Sequence, residues 1–375
     1  MQLRYTTEEI LADHAYVQPN LLGTRRLHGG YDAEGVYRSP RTLNRWPAIE
    51  AWRKSLLNKG GELVDISTRI PSAPPYPNLA QMKFLLANGV TLPLWNKLTT
   101  TGIVEARGRP VATIVAPDFQ PLVEEDISET ATAHLNKGLL IAHGLDEGGD
   151  GSGEILAHDQ MWYVVRDLVL GENAHLTPVM PEHPERAAAK EREMPQVPAP
   201  HETMIKRLII MLMFEIRAEF AFAIALMRDP EVFAGRRAEA DQAAAIVEQI
   251  RQDEASHVAY LQLVLSEIRA MRFKGAQGCV EGKTFIDPVL AKTIAWTSDY
   301  VPHIQANHEL VERCLKPRAD GSTMLAQFEA LADDEISSCS VRRRHGDRAL
   351  DDVEEAAVSD HVFDHKMVGA TDERV

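Results

Sequence analysis

The sequence predicts an all-α fold organised around four long helices, preceded by an irregular lead-in and followed by additional helices. Three observations predict it. Apolar residues recur at helical spacing in four segments, about 122–143, 154–175, 202–228 and 235–272. The connections run short, long, short. Residues 144–153 form a Gly-rich turn and Asp229-Pro230 breaks the third helix from the fourth, whereas 177–200 carries Pro178, Pro181, Pro184, Pro195, Pro198 and Pro200 and cannot be one helix. The third observation is a pair of Glu-x-x-His spacings, Glu172/His175 and Glu254/His257, each on the apolar stripe of its helix.

The lead-in, 1–115, is rich in Gly, Pro and polar turns. It holds one helix around 47–57, a cluster at Pro71, Pro74, Pro75 and Pro77, and two β-prone runs around Gly108 that read as a hairpin within 103–115. The four-helix region spans 116–273. Helices near 288–315 and 324–331 fill a C-terminal unit, 274–340, and a charged tail poor in large apolar residues, 341–375, is expected to be mobile.

With 375 residues, 45% of them hydrophobic, the chain can bury a sizeable core. A formal net charge of −15 argues against a nucleic-acid-binding surface and against attraction to anionic membranes, both of which need clustered Lys and Arg. Cys279, Cys314 and Cys339 lie far apart with no Cys-x-x-Cys spacing, which excludes a thiolate zinc site and a disulfide framework and fits a reducing compartment. The N-terminus has no basic stretch followed by an apolar run, so a cytoplasmic location is expected. The apolar run 208–226 has Glu215, Arg217 and Glu219 at its centre, where charge is expensive in lipid, and reads as a buried helix rather than a membrane span.

Residues at i and i+3 project from one helix face, so each Glu/His pair can offer a carboxylate and an imidazole to one metal. On the fourth helix the stripe Ala243, Ile246, Val247, Ile250 runs into Glu254 and His257 and resumes at Leu261, Val264, Leu265 and Ile268. On the second, Met161, Val165 and Leu168 lead to Glu172 and His175. The third helix is apolar nearly all round until Glu215 and Glu219, which need a cation or a hydrogen-bonded partner if buried. Glu215 ranks as a bridging ligand and Glu219 as an extra carboxylate. By symmetry between the two hairpins the first helix should supply Glu129. Its best apolar stripe instead turns His134 inward, so that His134 or Glu125 remains an alternative. His143 and His158 read as helix-end residues with capping or dipole roles, and 148–153 as a turn rather than a phosphate loop.

On these residues the chain resembles the ferritin-like di-iron carboxylate superfamily, which includes ribonucleotide reductase small subunits, bacterial multicomponent monooxygenases and acyl-carrier desaturases. The resemblance covers only the four-helix region. It implies a ferritin-like bundle with the metal ligands Glu172, His175, Glu215, Glu254 and His257 and one Glu from the first helix, for which Glu129 is the symmetry choice. Asp253, which precedes the second Glu, matches an aspartate that orients a ligand histidine in some members. Glu219, Asp253 and His134 complete the expected catalytic group. Two iron ions, with manganese as the alternative, O2 as co-substrate, a small organic or acyl substrate, and an external electron donor of ferredoxin or reductase type are what the resemblance implies, and a homodimer is compatible with it. Metal storage, and a helical interaction protein with buried ion pairs involving Arg166, Arg217 or Arg251, are the competing readings.

Overall fold

The computed structural model describes residues 2–65, 76–172, 174–175, 177–179, 192–216, 219–275, 278–298 and 301–332. The tail 341–375, Cys339, Arg217 and residues 180–191 of the proline-rich stretch lie outside the described residues.

The protein is mostly helical with a small antiparallel sheet. It opens with α1 (Thr7–Ile10), closed by a capping box in which the Thr6 hydroxyl accepts the Glu9 N–H and the Glu9 carboxylate accepts the Thr6 N–H. Strands β1 (Gln18–Leu22), β2 (Arg25–Tyr31) and β3 (Tyr37–Arg38) then form an antiparallel sheet in that order. Leu27 of β2 also bridges Leu156, which ties the sheet to a distant part of the chain. Next come α2 (Arg45–Asn58), α3 (Leu79–Ala87) and α4 (Leu92–Ala106), the last with Pro93 in its first turn, where a missing N–H does no harm.

After a 3₁₀ turn at Arg109–Thr113 the chain reaches α5 (Leu140–Gly148) and α6 (His158–Leu170). Helices α7 (Ala199–Glu215) and α8 (Glu219–Arg228) follow, then the long α9 (Arg237–Ala270). A hairpin of β4 (Arg272–Gly275) and β5 (Gly278–Glu281) leads to α10 (Lys283–Ser298), α11 (Val301–Leu315) and α12 (Gly321–Ala330).

Helix α9 is the spine. Helices α2, α6, α7, α8 and α10 all pack on it, and every apolar position of its predicted stripe is buried. Two apolar clusters meet along it. One gathers Ala243, Ile246, Val247 and Ile250 with Met161, Trp162 and Val165 of α6; the other gathers Leu261, Val264, Leu265 and Ile268 with Leu208, Ile209 and Leu212 of α7. Each such side chain contributes roughly 1.5–3 kcal/mol by leaving water. Between the clusters α9 carries Asp253, Glu254 and His257, all buried. A polar seam therefore divides the core.

Three sequence expectations fail here. Residues 122–143 do not form a long helix. Val123 pairs in extended form with Phe273, the Glu125 carboxylate accepts the Arg272 N–H at 3.1 Å, and Gly138 takes φ +110°, which interrupts the helical path before α5. The hairpin expected within 103–115 is replaced by the end of α4 and a 3₁₀ turn, because the apolar period of Leu94, Leu98 and Gly102 carries the helix on to Ala106. The third helix is divided, α7 ending at Glu215 and α8 starting at Glu219. Among the described residues no helix is long and apolar enough to cross a membrane.

Candidate metal centre

Several helices end at the seam, and their terminal residues fill it. Glu105 lies in the last turn of α4, His143 and Glu147 lie on one face of α5 at i and i+4, His158 opens α6, and Glu215 closes α7. Helix α9 adds Glu254 and His257. These seven side chains form two groups of four. His143, Glu147, Glu215 and His257 make one, and Glu105, Glu147, His158 and Glu254 the other; within each, one ligand atom per residue lies within 4.8 Å of the others. Glu147 belongs to both. Glu254 also spans them, its Oε2 lying 2.6 Å from His257 Nδ1 and its Oε1 2.8 Å from His158 Nδ1.

Each histidine turns one ring nitrogen towards the carboxylates and gives the other to an outside partner. His257 Nε2 donates to Asp146 Oδ2 at 3.0 Å, and Asp146 is held in turn by the guanidinium groups of Arg41 and Arg45. His158 Nε2 donates to Asp253 Oδ2 at 3.2 Å, an oxygen that also accepts from His28 Nε2 at 2.6 Å and from the Tyr37 hydroxyl at 3.0 Å. His143 Nδ1 meets the Tyr260 hydroxyl at 3.0 Å, while its Nε2 faces Glu215 at 3.4 Å. Such outer partners fix the tautomer and aim of a ligating imidazole. The first 115 residues are thus part of the site, supplying His28, Tyr37, Arg41, Arg45 and Glu105.

Electrostatics tell the same story. Glu105, Glu147, Glu215 and Glu254 bring four carboxylates together in a region shielded from water, where ionised groups of one sign cannot coexist without counter-charge. Burial and the neighbouring Glu147 push the Glu105 carboxyl well above its usual range, and burial with Glu254 does the same to Glu215. Burial opposes ionisation of Glu254 too, but the adjacent His257 and His158 bring it down to about 2. Burial disfavours charge on those two histidines, yet Glu254 and the bonds to Asp253, Asp146 and Glu147 raise both well above normal. His143 goes the other way, to about 3, through burial and the charge of His257 stacked 4.1 Å away. Without cations the cluster is balanced by protons on His158, His257, Glu105 and Glu215. Two divalent ions would balance four carboxylates, and a seven-residue set of four carboxylates and three imidazoles fits them chemically.

Of the residues singled out from sequence, Glu215, Glu254 and His257 stand in this cluster, and Asp253 stands beside it against His158 rather than His257. The others lie elsewhere. Glu172 is 67% exposed and paired with Arg25 at 3.1 Å, because Gly171, with φ +90°, ends α6 before the Glu172/His175 pair can be helical. His175 bonds the Thr91 hydroxyl at 3.0 Å. Glu129 faces Arg4 at the surface, 3.4 Å away. His134 is buried, but its Nε2 accepts the Tyr5 N–H and its Nδ1 donates to the Thr130 carbonyl, leaving no lone pair for a metal. Glu219 opens α8, and its side chain lies outside the described set. Arg166 stacks on Trp95 and pairs with Asp167, and Arg251 pairs with Glu248.

Glu105, His143, Glu147 and His158 escaped the sequence reading. The signal was present as His143-x-x-x-Glu147, a helical i, i+4 pair, and as Glu105 three positions beyond the buried Gly102 on the stripe of α4. Neither has the Glu-x-x-His spacing.

What fold and site define together is a mostly helical protein with a buried carboxylate–histidine cluster of metal-ligand spacing. No protein-family model, curated protein or solved structure matches the chain.

Proposed function

We propose that the protein is a non-haem dinuclear-metal oxidoreductase that uses O2 to oxidise a small organic or acyl molecule. The observation that carries this reading is the pair of ligand quartets sharing Glu147, with each inward-facing imidazole held from behind by a residue outside the quartets. The donor set favours iron, with manganese next, since hard carboxylate oxygens dominate and no thiolate takes part. An iron pair held by these residues would supply a redox centre able to react with O2. The chain's own part is to hold Glu147 and Glu254 between the two positions, to fix the histidine tautomers through Asp146, Asp253 and Tyr260, and to keep water out with the two apolar clusters. Electrons come from an external donor of ferredoxin or reductase type. A ferritin-like bundle belongs to the same proposal, with α6, α7 together with α8, and α9 as its second, third and fourth helices.

Anaerobic loading with Fe(II), metal analysis after desalting, and electron paramagnetic resonance of the half-oxidised protein test the proposal. Expected are about two irons per chain with a signal from a coupled pair, and O2 uptake that depends on the iron. Glu254→Ala should lose the coupled signal. Absence of stoichiometric iron or manganese would leave a buried ion-pair network, and uptake well beyond two per chain would point to storage.

A further inference from the structure

Strand β2 carries two adjacent buried glycines near its end, Gly29 and Gly30. Glycine weakens a strand interior, so a pair of them there marks a close approach by another group. A different tyrosine ring stands where each missing side chain would be. A Cβ on Gly29 would lie 2.6 Å from Tyr37 Cζ, and one on Gly30 would lie 2.5 Å from Tyr16 Cγ and 2.9 Å from the Gln18 carbonyl oxygen. Non-bonded carbon atoms settle at about 3.5–4.0 Å, so neither position admits a side chain while its tyrosine is in place.

The two tyrosines lead to the two aspartates behind the cluster. The Tyr37 hydroxyl donates to Asp253 Oδ2 at 3.0 Å, the oxygen that accepts from His158 Nε2. The Tyr16 hydroxyl donates to Asp13 Oδ1, which also accepts the Arg41 N–H at 3.0 Å. Arg41 is the one non-glycine residue with positive φ among the described residues, at +54°, a conformation that side chains resist and keep only where their surroundings impose it. Held there, its guanidinium meets Asp146 Oδ1, and Asp146 Oδ2 accepts from His257 Nε2 at 3.0 Å. His14 holds the same loop through Thr42 Oγ1 at 2.8 Å. The sheet itself is fixed against the cluster. The His28 N–H donates at 2.9 Å to the carbonyl of Leu156, two residues before His158, and Asn20 of β1 donates at 3.0 Å to Gln249, one turn before Asp253 on α9.

We propose that Gly29 and Gly30 are positioning residues of the metal centre. By seating Tyr37 and Tyr16 on one strand they aim two imidazoles through separate arms, Tyr37–Asp253 for His158 and Tyr16–Asp13–Arg41–Asp146 for His257. The N-terminal sheet then sets both metal positions, each by its own route. The consequence for metal binding rests on the dinuclear-metal reading, whereas the aim of the two imidazoles does not require metal.

Tyr37→Phe and Tyr16→Phe each remove one hydroxyl and keep the ring, while Gly29→Ala and Gly30→Ala displace the rings. Each full-length variant is titrated anaerobically with Fe(II) against a chromophoric chelator. Its metal-free form, isotopically labelled in histidine, is followed by NMR of the ring N–H groups. His158→Gln and His257→Gln assign the signals and the binding steps. Expected for Tyr37→Phe and Gly29→Ala is a shift of the His158 ring signals with those of His257 in place, and about tenfold weakening of the step that His158→Gln removes, the worth of one charge-assisted hydrogen bond. Tyr16→Phe and Gly30→Ala should do the same to His257 and its step. A merely structural role would lower the thermal transition without singling out one histidine. A tyrosine variant that moves both histidines alike, or neither, would overturn the proposal. Should the glycine variants unfold, the tyrosine variants decide alone. Should the parent protein bind no iron, the dinuclear reading fails and the ring signals of the metal-free protein still decide this one.

Discussion

Replacing Asp253 by Asn should weaken one metal position and spare the other. Asp253 touches the cluster only through His158 Nε2, at 3.2 Å, while His28 and Tyr37 hold the same oxygen. Burial would raise its carboxyl, but the charge of His28 and the bonds from both histidines bring it from 3.8 to about 2. That difference corresponds to roughly 2 kcal/mol by which the positive surroundings outweigh the cost of burying the carboxylate. The amide keeps an oxygen for the three donors but loses the charge. Its NH2 would take the place of Oδ1, which has no partner, at a cost of about 1–3 kcal/mol to the fold. Loss of an outer partner lowers metal affinity about 10- to 100-fold, and here the loss falls on the group of Glu105, Glu147, His158 and Glu254. Competition of Fe(II) or Mn(II) against a chromophoric chelator resolves the two binding steps. One step should weaken by that factor and the other should change by less than about threefold. Asp146→Asn, its counterpart behind His257, should instead destabilise the whole fold by about 3–5 kcal/mol, because Arg41 and Arg45 would lose their shared counter-charge in the interior. Equal weakening of both steps by Asp253→Asn, or of neither, would refute the division of the cluster into two positions.

Further outcomes follow from the same geometry. Glu147→Ala should abolish both metal-binding steps, whereas Glu172→Ala should leave both intact and change stability by less than about 1 kcal/mol, since its ion pair with Arg25 is exposed; metal analysis and thermal melts distinguish these. Metal binding should release protons, because the ions displace those on His158, His257, Glu105 and Glu215, so affinity strengthens as pH rises; calorimetry in buffers of different ionisation enthalpy counts the protons. Away from the cluster, burial raises Glu267 to about 7, even though the backbone and side chain of Thr132 and the Ala131 N–H donate to it. The folded chain then binds this proton more tightly than the unfolded chain. Its contribution is fully present below about 4.5 and is lost as pH rises to about 7, by roughly 3 kcal/mol in all. Glu267→Gln should remove that slope, and denaturant melts of both proteins across this range should show the gap between them shifting in favour of the variant as pH rises.

Local periodicity is legible in this sequence wherever a helix is long enough to bury a whole stripe. Helix α9 is the clear case, with every predicted apolar position inside and Glu254 and His257 inside with them. Glu215 was legible for a related reason, as a carboxylate at the end of an apolar run. Illegible were ligands at helix ends, where periodicity has too few turns to speak. His158 is the first residue of α6 and reads as a capping residue until the chain folds, and Glu147, the last but one of α5, falls in a stretch that reads as a Gly-rich turn. His28, Tyr37, Arg41 and Arg45 come from a stretch whose polar, turn-rich composition says nothing about neighbours more than 100 residues away in sequence. The Glu172/His175 pair shows the opposite error: its spacing is right, but Gly171 stops the helix that would give the spacing its meaning.

The placement of the cluster explains why the fold tolerates so many buried charges. A single continuous core along α9 would be the more stable arrangement, since hydrophobic replacements of buried ion pairs are often neutral or stabilising. Here the apolar residues divide into two clusters, and the charges occupy the gap where α4, α5, α6 and α7 all have a terminus. Helix ends carry unpaired backbone groups that need polar company anyway, so gathering them at one seam concentrates the polar demand in one place. Outward from the seam the charges are neutralised stepwise, Asp146 by two guanidinium groups and Asp253 by His28 and Tyr37. The inner carboxylates alone depend on protons or cations. That dependence gives the metal ions leverage over folding: a metal bound at 100 times its dissociation constant would add about 2.7 kcal/mol to stability. The added stability should vanish in Glu147→Ala, whose melting temperature should no longer respond to metal. A response that persisted in this variant would mean that the ions bind somewhere other than the seam.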